Sequence, residues 1–458
     1  MLVSINPADG AELARYPLHT ALDVEDALAN AATAQAAWRQ VPVLERVGLL
    51  RRMASVLRAN KATYSRMITE EMGKPLVEAE GEIEKCAWNC DFYADEAPVF
   101  LADEIVASSA SHSAVVFDPL GVVLAIMPWN YPFWQFFRFA APALAAGNGA
   151  LLKHANNVPR CALAIEEVML EAGCPDGLFR TLLVEPSSVA GLIADDRIAA
   201  VTLTGSTEVG AIVAAQAGKA LKKQVLELGG SDPFIVLADA DIEAAAAMAV
   251  KARYVNVGQS CVNAKRFIVD NAVADSFVDA FCRHAAALRM GDPLQQGVSI
   301  GPMARANLRA TLHDQVERSV AAGAVLKMGG QIVDAPGFFY PATVLDNVTP
   351  EMAAFREETF GPVAAIIRVD GADEAICLAN DTEFGLGAAL WTADVEQAQR
   401  LARRIDAGAV FINGMVASDP RLPFGGIKRS GYGRELGSYG IREFVNLKTL
   451  WVGPVKAA

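Results

Sequence analysis

Apolar and polar positions along the chain follow two different periods. From about Leu22 to Leu101, apolar residues recur at three- and four-residue spacing with charges between them, which predicts a run of amphipathic helices. Beyond it, strand-like runs such as "GVVLAIMP", "GALLK" and "AAVTLTG" alternate with helical stretches such as "PFWQFFRFAAPALAAG" and "TEVGAIVAAQAGK". Strands that alternate with helices predict a parallel sheet with crossover helices, the pattern of a dinucleotide-binding fold.

A second alternating block begins just after Gly229-Gly230 and runs from "DPFIVLADA" through "AAIIRV" to "GAVFINGM". It predicts another α/β domain. A chain of 458 residues is too long for one compact core, so two or three domains are expected in any case. The sequence therefore predicts the α/β fold class with at least two domains.

Composition narrows the class of protein. Hydrophobic residues make up 53% and charged residues 20%, as in globular proteins, and the net charge of −13 argues against a nucleic-acid partner or an anionic membrane surface. The start, "MLVSINPADG", lacks the basic and apolar segments of a signal peptide. Seven cysteines, an odd number in a long chain, fit a reducing compartment, so we expect a cytoplasmic protein.

One uncharged segment, from Pro119 to Phe137, is long enough to cross a bilayer. Its middle, "MPWNYP", would leave backbone groups without hydrogen-bond partners in lipid. The segment is therefore expected to form a buried strand, a turn and a helix, and no membrane partner is predicted.

Cys261 in "YVNVGQSCVNAKR" is a candidate nucleophile, because it lies in a polar, glycine-containing loop at a predicted domain boundary. From this context alone, a loop cysteine without a function is an equally good interpretation. The other cysteines are interpreted as structural. Cys86 and Cys90 form a half-buried pair on a helix, Cys174 lies in a turn, and the small core residues are Cys161, Cys282 and Cys377. No metal site is predicted.

Glu227 in "QVLELGGSDP" is a candidate general base. It ends an apolar strand and precedes two glycines, so partial desolvation should raise the pKa of its carboxyl group into a useful range. A carboxylate that only caps the following loop is the alternative. None of the five histidines lies in a comparable setting.

Gly205 and Ser206 stand in a strand, turn and helix, "AVTLTGSTEVG". Gly205 permits close approach, and Ser206 can cap a helix whose N-terminus would accept a phosphate. Without a Gly-x-Gly-x-x-Gly motif this is weak evidence for a dinucleotide. Lys153 ends the strand "GALLK", where a lysine can contact a nucleotide ribose or phosphate, although a solvated loop lysine is the alternative.

Asn130 and Arg138 lie on either side of the predicted start of a helix. Asn130 either caps that helix or donates to a developing oxyanion. Arg138 lies among aromatic residues, where its guanidinium needs an anion. That anion is either a substrate carboxylate or a carboxylate of the protein.

Seven motifs in a fixed order resemble the aldehyde dehydrogenase superfamily over nearly the whole chain: "PWNYP", "LLKHA", "LTGSTEVG", "LELGGSDP", "GQSC", "EETFGPV" and "PFGGIKRSGYGRE". The chain is most similar to the bacterial succinate-semialdehyde branch. The resemblance implies a Rossmann-like cofactor domain over 1–107 and 122–229, an α/β catalytic domain over 230–430, and a small β oligomerisation element over 108–121 and 440–458. It also implies a homodimer or homotetramer.

The resemblance implies a catalytic role for three residues. Cys261 is the nucleophile, which carries first a thiohemiacetal and then a thioester. Glu227 is the base that activates water, and Asn130 forms an oxyanion hole with the Cys261 backbone N–H. The intact set argues against a cofactor-binding protein without turnover. A cysteine esterase is a further alternative, which ester cleavage without NADPH formation would favour.

The resemblance also implies residues that bind the cofactor, namely Trp129, Lys153, Asn156, Gly205, Ser206, Glu358 and Phe360. Relatives that prefer NAD often carry a glutamate at the position of Asn156, where it repels a 2′-phosphate. The neutral Asn156 therefore favours NADP, with NAD possible.

Arg138, Ser260 and Ser418 suggest a substrate with a carboxylate at its far end, because a guanidinium matches a carboxylate in geometry and charge. Arg421 is a further basic candidate. The expected reaction is the oxidation of succinic semialdehyde to succinate. The alternative is another small or medium-chain aldehyde, such as lactaldehyde, or broad specificity.

Overall fold

The computed structural model describes residues 1–453. Its α-helices are α1 (Ala21–Trp38), α2 (Val43–Ala59), α3 (Lys61–Met72), α4 (Leu76–Phe100), α5 (Trp134–Ala145), α6 (Pro159–Glu171), α7 (Val189–Ala194), α8 (Thr207–Lys219), α9 (Ile242–Tyr254), α10 (Ala274–Ala286), α11 (Ala306–Ala321), α12 (Ala353–Arg356), α13 (Gly371–Asn380), α14 (Val395–Ala402) and α15 (Gly437–Ile441).

The strands are β1 (Leu2–Ile5), β2 (Glu12–Tyr16), β3 (Glu104–Ile105), β4 (His112–Pro119), β5 (Val122–Met127), β6 (Gly149–His154), β7 (Phe179–Thr181), β8 (Ile198–Thr204), β9 (Lys223–Glu227), β10 (Asp232–Val236), β11 (Ala264–Asp270), β12 (Val325–Met328), β13 (Thr343–Asp346), β14 (Val363–Val369), β15 (Gly387–Trp391), β16 (Ala409–Ile412), β17 (Gly431–Tyr432) and β18 (Val445–Val452).

The predicted run of helices in the first hundred residues is confirmed as α1 to α4. Helix α1 begins at Thr20, whose side chain accepts from the Asp23 backbone N–H while Asp23 accepts from Thr20, a capping box. Helices α2 and α3 are separated at Asn60. Helix α3 ends at Gly73, which adopts the left-handed conformation typical of a helix C-terminus.

A six-stranded sheet has the order β17-β9-β8-β5-β6-β7, and β9, β8, β5, β6 and β7 are parallel. Apolar side chains of α2 to α6 cover one face, and those of α1, α7 and α8 cover the other. A parallel sheet between two helical layers is Rossmann-like, as predicted. The uncharged segment Pro119–Phe137 forms β5, a turn and the start of α5, which confirms the expectation for it.

A seven-stranded sheet has the order β12-β13-β14-β11-β10-β15-β16, parallel except for β12 at its edge. It has its own apolar core, built with α9, α10, α11 and α13. Strand β9 ends at Glu227 and β10 begins at Asp232, and they belong to different sheets. The turn at Gly229-Gly230 therefore connects two separately packed α/β layers.

The third sheet has the order β18-β4-β3 and is antiparallel. This sheet pairs the two segments that were predicted to form the oligomerisation element, 108–121 and 440–458. Residues 454–458 of the second segment lie outside the described residues. Strand β18 exposes Leu447, Leu450, Trp451 and Val452. Within residues 1–453, no helix combines the length and the apolar character needed to cross a membrane.

Several features differ from the sequence-based expectations. The β1–β2 hairpin was not predicted. Cys86 and Cys90 are fully buried rather than half-buried, because α4 packs against both α2 and α5. Cys377 is exposed, so its assignment to the core is wrong: its helix α13 turns Ile376 and Ala379 inward and leaves Cys377 on the solvent side.

Strand β17 is a second unpredicted feature. It pairs antiparallel with β9, so that Gly431 lies opposite Glu227. Gly431 has a φ of +111°, and a Cβ there would lie 2.0 Å from the Leu226 carbonyl oxygen. The late part of the chain thus returns to the edge of the sheet formed by its first half, and only a glycine permits this close approach.

A buried ion pair joins α5 to the segment that follows β17. The Nε of Arg138 pairs with Glu435, and their side chains are only 2% and 3% exposed. The guanidinium also donates from Nη2 to Thr204 Oγ1 at 3.3 Å and lies 4.7 Å from the centre of the Phe424 ring. Burial raises the pKa of Glu435, and the positive charge of Arg138 opposes that rise.

We predict that Arg138→Leu destabilises the protein by about 3–5 kcal/mol, because it leaves the Glu435 carboxylate buried without a counter-charge. The double variant Arg138→Leu/Glu435→Leu should recover much of this loss, since both charges are then absent. Calorimetric melting temperatures measure both effects. Arg400→Leu, which breaks the exposed Arg400–Glu396 pair, is the matched control and should cost about 1 kcal/mol or less. An equal shift for Arg138→Leu and Arg400→Leu would contradict the prediction.

Candidate active site

Cys261 lies in a turn between α9 and β11. The Asn263 backbone N–H donates to the Ser260 carbonyl oxygen at 3.2 Å, which closes the turn. The Lys265 ammonium donates to the carbonyl oxygens of Ser260 and Cys261, at 2.9 Å in each case. These bonds fix the backbone on both sides of the thiol.

Arg253, at the end of α9, holds the same loop from behind. Its Nη1 donates to Ala264 O at 2.9 Å, and its Nη2 donates to Gly258 O at 2.7 Å and to Thr359 O at 3.3 Å. Val257 in this loop has a φ of +57°, a strained conformation for a β-branched residue. The strain persists because the buried guanidinium holds the carbonyl of the adjacent Gly258 and, beyond Cys261, that of Ala264.

Cys261 lines two separate cavities. The first has a volume of about 220 Å³ and adjoins a larger one of about 900 Å³, with which it shares Trp129, Gly205 and Ser206. Every residue that the sequence predicted to bind the cofactor lines one or both of them: Trp129, Lys153, Asn156, Gly205, Ser206, Glu358 and Phe360. We call this pair the cofactor-side cavity.

One end of the cofactor-side cavity is polar. The Lys153 ammonium donates to Asn156 Oδ1 at 2.7 Å, and Asn156 Nδ2 donates to Glu185 Oε2 at 3.4 Å. Burial lowers the pKa of Lys153 to about 8, and the charge of Glu185 opposes the shift. Lys153 and Asn156 therefore form a hydrogen-bonded pair, with a carboxylate behind Asn156 that sequence analysis did not identify.

The other end lies next to Cys261. Ser206 caps α8 by accepting from the Val209 backbone N–H at 3.4 Å, so the N-terminus of α8 faces this cavity. Glu358 accepts from the Gly230 backbone N–H at 3.0 Å. The rings of Phe360 and Trp129 meet edge to face, with centroids 5.8 Å apart.

The second cavity lined by Cys261, which we call the substrate-side cavity, has a volume of about 260 Å³. Arg138, Ser260 and Ser418 line it, as the sequence suggested. The guanidinium of Arg138 is nevertheless paired with Glu435, the alternative that the sequence had left open. Arg421 is not among the lining residues: its side chain is 67% exposed and bonds to Asp419.

Lys85 is a basic residue of the substrate-side cavity that sequence analysis missed. Its ammonium donates to Ser418 Oγ at 2.7 Å and lies 4.4 Å from the centre of the Trp134 ring. No sequence signal distinguishes it, because the charged stretch "EGEIEK" is typical of a solvated helix face, and the burial of Glu82 and Asn89 is evident only in the structure. Glu435 was also missed, although it lies in the motif "GRELG".

Glu227 is buried, with 1% of its surface exposed, and neither carboxylate oxygen has a hydrogen-bond partner within residues 1–453. Burial raises the pKa of Glu227 well above its ordinary value, and the Glu435 charge adds to the rise, while Arg138 and Arg434 oppose it. Glu227 does not line either cavity. The sequence predicted partial desolvation, and the structure has full burial.

Burial also raises the pKa of the Cys261 thiol, to about 12. The charges of Arg138 and Lys265 oppose this rise, whereas those of Glu358 and Glu227 add to it. The thiol is therefore close enough to Glu227 for the carboxylate to affect its ionisation.

Asn130 lines the cofactor-side cavity together with Cys261. Its side-chain Nδ2 donates to the Gln259 carbonyl oxygen at 3.1 Å, and the backbone carbonyl oxygen of Asn130 accepts from Asn256 Nδ2 at 2.9 Å. Since an amide carries two hydrogens, one of them remains for a ligand. The structure thus brings Asn130 to the cysteine from the other sheet.

Comparison with known proteins gives a consistent result. The model of the Aldehyde dehydrogenase family matches residues 1–450. A protein of Synechocystis named probable succinate-semialdehyde dehydrogenase, NADP(+), is 52% identical over 98% of this chain and 99% of its own length. The succinate semialdehyde dehydrogenase, NAD(P)+, of Escherichia coli is 51% identical over 98% of this chain and 97% of its own length.

Solved structures agree with this. The succinic semialdehyde dehydrogenase of Streptococcus pyogenes, in complex with NADP+ as the cofactor, superposes with a TM-score of 0.97 at 37% identity and covers 99% of this chain and 100% of its own. The family model, both relatives and the solved structure each match nearly the whole chain. The chain therefore belongs to the aldehyde dehydrogenase family.

Proposed function

We propose that the chain oxidises succinic semialdehyde to succinate, with NADP as the preferred cofactor and NAD usable. One observation carries the proposal: Cys261 lies where a cofactor-side cavity meets a smaller cavity with basic side chains. The names of the Synechocystis and Escherichia coli relatives support it.

In the proposed reaction the Cys261 thiol gives its proton to solvent and the thiolate sulfur attacks the aldehyde carbon, so that the C=O bond becomes a thiohemiacetal C–O⁻. The free amide hydrogen of Asn130 and the Cys261 backbone N–H hold that oxyanion, and each such donor stabilises a transition state by about 3–4 kcal/mol. When bound, the nicotinamide cofactor supplies the acceptor for the hydride that leaves this carbon. Cys261 then carries a thioester.

Glu227 then acts as the general base. It takes a proton from water, the hydroxide oxygen adds to the thioester carbon, and the C–S bond breaks to release the acid. The protonated Glu227 then returns its proton to the Cys261 thiolate. A base with a raised pKa suits this step near neutral pH. Because Glu227 lies outside both cavities, we infer that its side chain moves toward Cys261 for this step.

The chemistry of the cofactor-side cavity fits a dinucleotide. Ser206 and the N-terminus of α8 suit a pyrophosphate, and Lys153 with Asn156 suits a ribose. The neutral Asn156 leaves room for a 2′-phosphate, and the nearby Lys153 ammonium attracts it. Glu185, behind Asn156, is consistent with residual use of NAD.

We also propose the division of the chain predicted from its sequence: cofactor binding by 1–107 and 122–229, catalysis by 230–430 and self-association through 108–121 with 440–458. The exposed apolar side chains of β18 support self-association as a dimer or tetramer. Seven free cysteines support a reducing, cytoplasmic location.

A second candidate substrate is a neutral small or medium-chain aldehyde. The Arg138–Glu435 ion pair favours this alternative, because it neutralises the guanidinium assigned to the carboxylate. The apolar lining by Trp134, Val416 and Phe424 would suit such a chain.

The direct test measures NADPH formation with succinic semialdehyde. The wild-type protein should reduce NADP, and Cys261→Ala should lower kcat by about 10³-fold or more, because the nucleophile is gone. Cys377→Ala, which removes an exposed thiol far from the cavities, is the control and should keep full activity. Failure of the wild-type protein to reduce either NADP or NAD would disprove the proposed reaction.

The raised pKa of Cys261 predicts the pH dependence of its alkylation in the cofactor-free protein. Because the thiolate is the minor form below about pH 12, its fraction and the rate with iodoacetamide should rise about tenfold per pH unit from pH 7 to 10. Mass spectrometry of the Cys261 peptide gives the rate at each pH. A plateau below about pH 9 would mean that burial does not control this thiol.

Asn156→Glu should shift the cofactor preference from NADP toward NAD. The new carboxylate would repel the 2′-phosphate and accept from the 2′-hydroxyl, so the ratio of kcat/KM values should change on the order of tenfold or more. Gln295→Glu adds the same charge at an exposed position and is the control. An unchanged ratio in Asn156→Glu would remove this residue from the cofactor site.

A further inference from the structure

Four charged side chains line the substrate-side cavity: Glu78, Glu82, Lys85 and Arg138. The two carboxylates are already bound within the protein. Glu82 forms a buried ion pair with Lys74 and accepts two backbone N–H groups at the start of α5. Glu78 accepts the Asn256 backbone N–H at 2.7 Å.

The two cations differ from each other. Arg138 is neutralised by Glu435 in a pair that excludes water. Lys85 forms no ion pair with any carboxylate in the described part of the chain, and its one hydrogen bond goes to the Ser418 hydroxyl. The adjacent Asp419 is held by Arg421, at 2.6 Å between Oδ2 and Nη2.

A partly buried ammonium without a counter-charge is unfavourable, and the protein compensates for it only in part. The Trp134 ring supplies a cation–π contact, and Ser418 accepts one of the three ammonium hydrogens. The remaining donor capacity faces a cavity that Cys261 also lines. An anionic group on the substrate would complete this arrangement.

We propose that Lys85, with the hydroxyl of Ser418, binds the carboxylate of the aldehyde substrate. The ammonium supplies the charge, and the hydroxyl, which accepts from Lys85, donates its own hydrogen to the second carboxylate oxygen. Arg138 then positions the cavity wall through Glu435 and is not the main anion ligand. This assignment rests on the proposed function, because it names the group that selects the proposed substrate.

The test compares succinic semialdehyde with butanal, which has the same four carbons but no carboxylate. Lys85→Met should raise KM for succinic semialdehyde about tenfold or more, as expected for loss of a charge-assisted hydrogen bond. The effect on kcat/KM for butanal should be about threefold or less. Lys85→Arg should restore most of the preference for the carboxylated aldehyde, and Ser418→Ala should lower that preference by a smaller factor.

Lys251→Met removes the same charge from the exposed side of α9 and is the matched control, with kinetics like those of the wild-type protein. Circular dichroism of each variant checks that it has folded, and Ser418→Ala tests the same site without removing a charge. A wild-type preference for the carboxylated aldehyde that survives Lys85→Met would overturn this assignment alone. A wild-type protein without that preference would overturn the proposed substrate as well.

The pH dependence of the substrate preference distinguishes a binding role of Lys85 from a purely structural one. Burial and the Arg138 charge lower the pKa of Lys85 to about 8, against the charges of Asp419 and Glu82. Lys85 is charged below this pKa, so the ratio of kcat/KM for succinic semialdehyde to that for butanal should fall above about pH 8. The ratio cancels the ionisation of the nucleophile, which both aldehydes share. In Lys85→Arg the ratio should stay flat to pH 10, and a fall in Lys85→Arg like that of the wild-type protein would overturn the assignment.

Discussion

A buried guanidinium that only backbone carbonyls can satisfy determines where the nucleophile lies. Arg253 binds the carbonyls of Gly258 and Ala264, on the two sides of Cys261, and that of Thr359, in the segment that carries Glu358 and Phe360. Separating these segments would leave a charge or a carbonyl buried without a partner. The loop of the nucleophile and the segment beside the cofactor-side cavity are therefore held as one unit, although nearly a hundred residues of chain separate them.

The sequence predicted the part of the structure that depends on local pattern or on motif order. Periodicity located the helices before Leu101 and the parallel strands, and the family motifs brought Cys261, Glu227 and Asn130 together. The Arg138–Glu435 pair joins residues nearly three hundred positions apart in the chain, so no local pattern indicates it. Strand β17 was missed for the same reason, since two residues are too short for an alternation to be visible.

Charge placement around the substrate-side cavity illustrates a second limit of sequence analysis. Arg138 stands on a helix among apolar residues and Lys85 on a helix among acidic ones, and a pattern of residue types cannot tell which of the two is neutralised. Only the tertiary structure brings Glu435 to Arg138 and the hydroxyl of Ser418 to Lys85. The two cations thus acquire different roles. Arg138 holds the wall of the cavity together, and Lys85 keeps unused N–H donors that face the cavity of the reacting cysteine.

The return of β17 to β9 has a consequence for how the chain reaches its folded state during synthesis. Strand β9 is complete once Glu227 has been made, but its outer edge stays open until Gly431 and Tyr432 emerge about two hundred residues later. At ribosomal rates this interval is on the order of 10–40 s. Throughout it the nascent first half presents an unpaired strand edge, the kind of surface that chaperones cover and that promotes aggregation. Synthesis of the last thirty or so residues therefore completes a sheet that began to form in the first half of the chain.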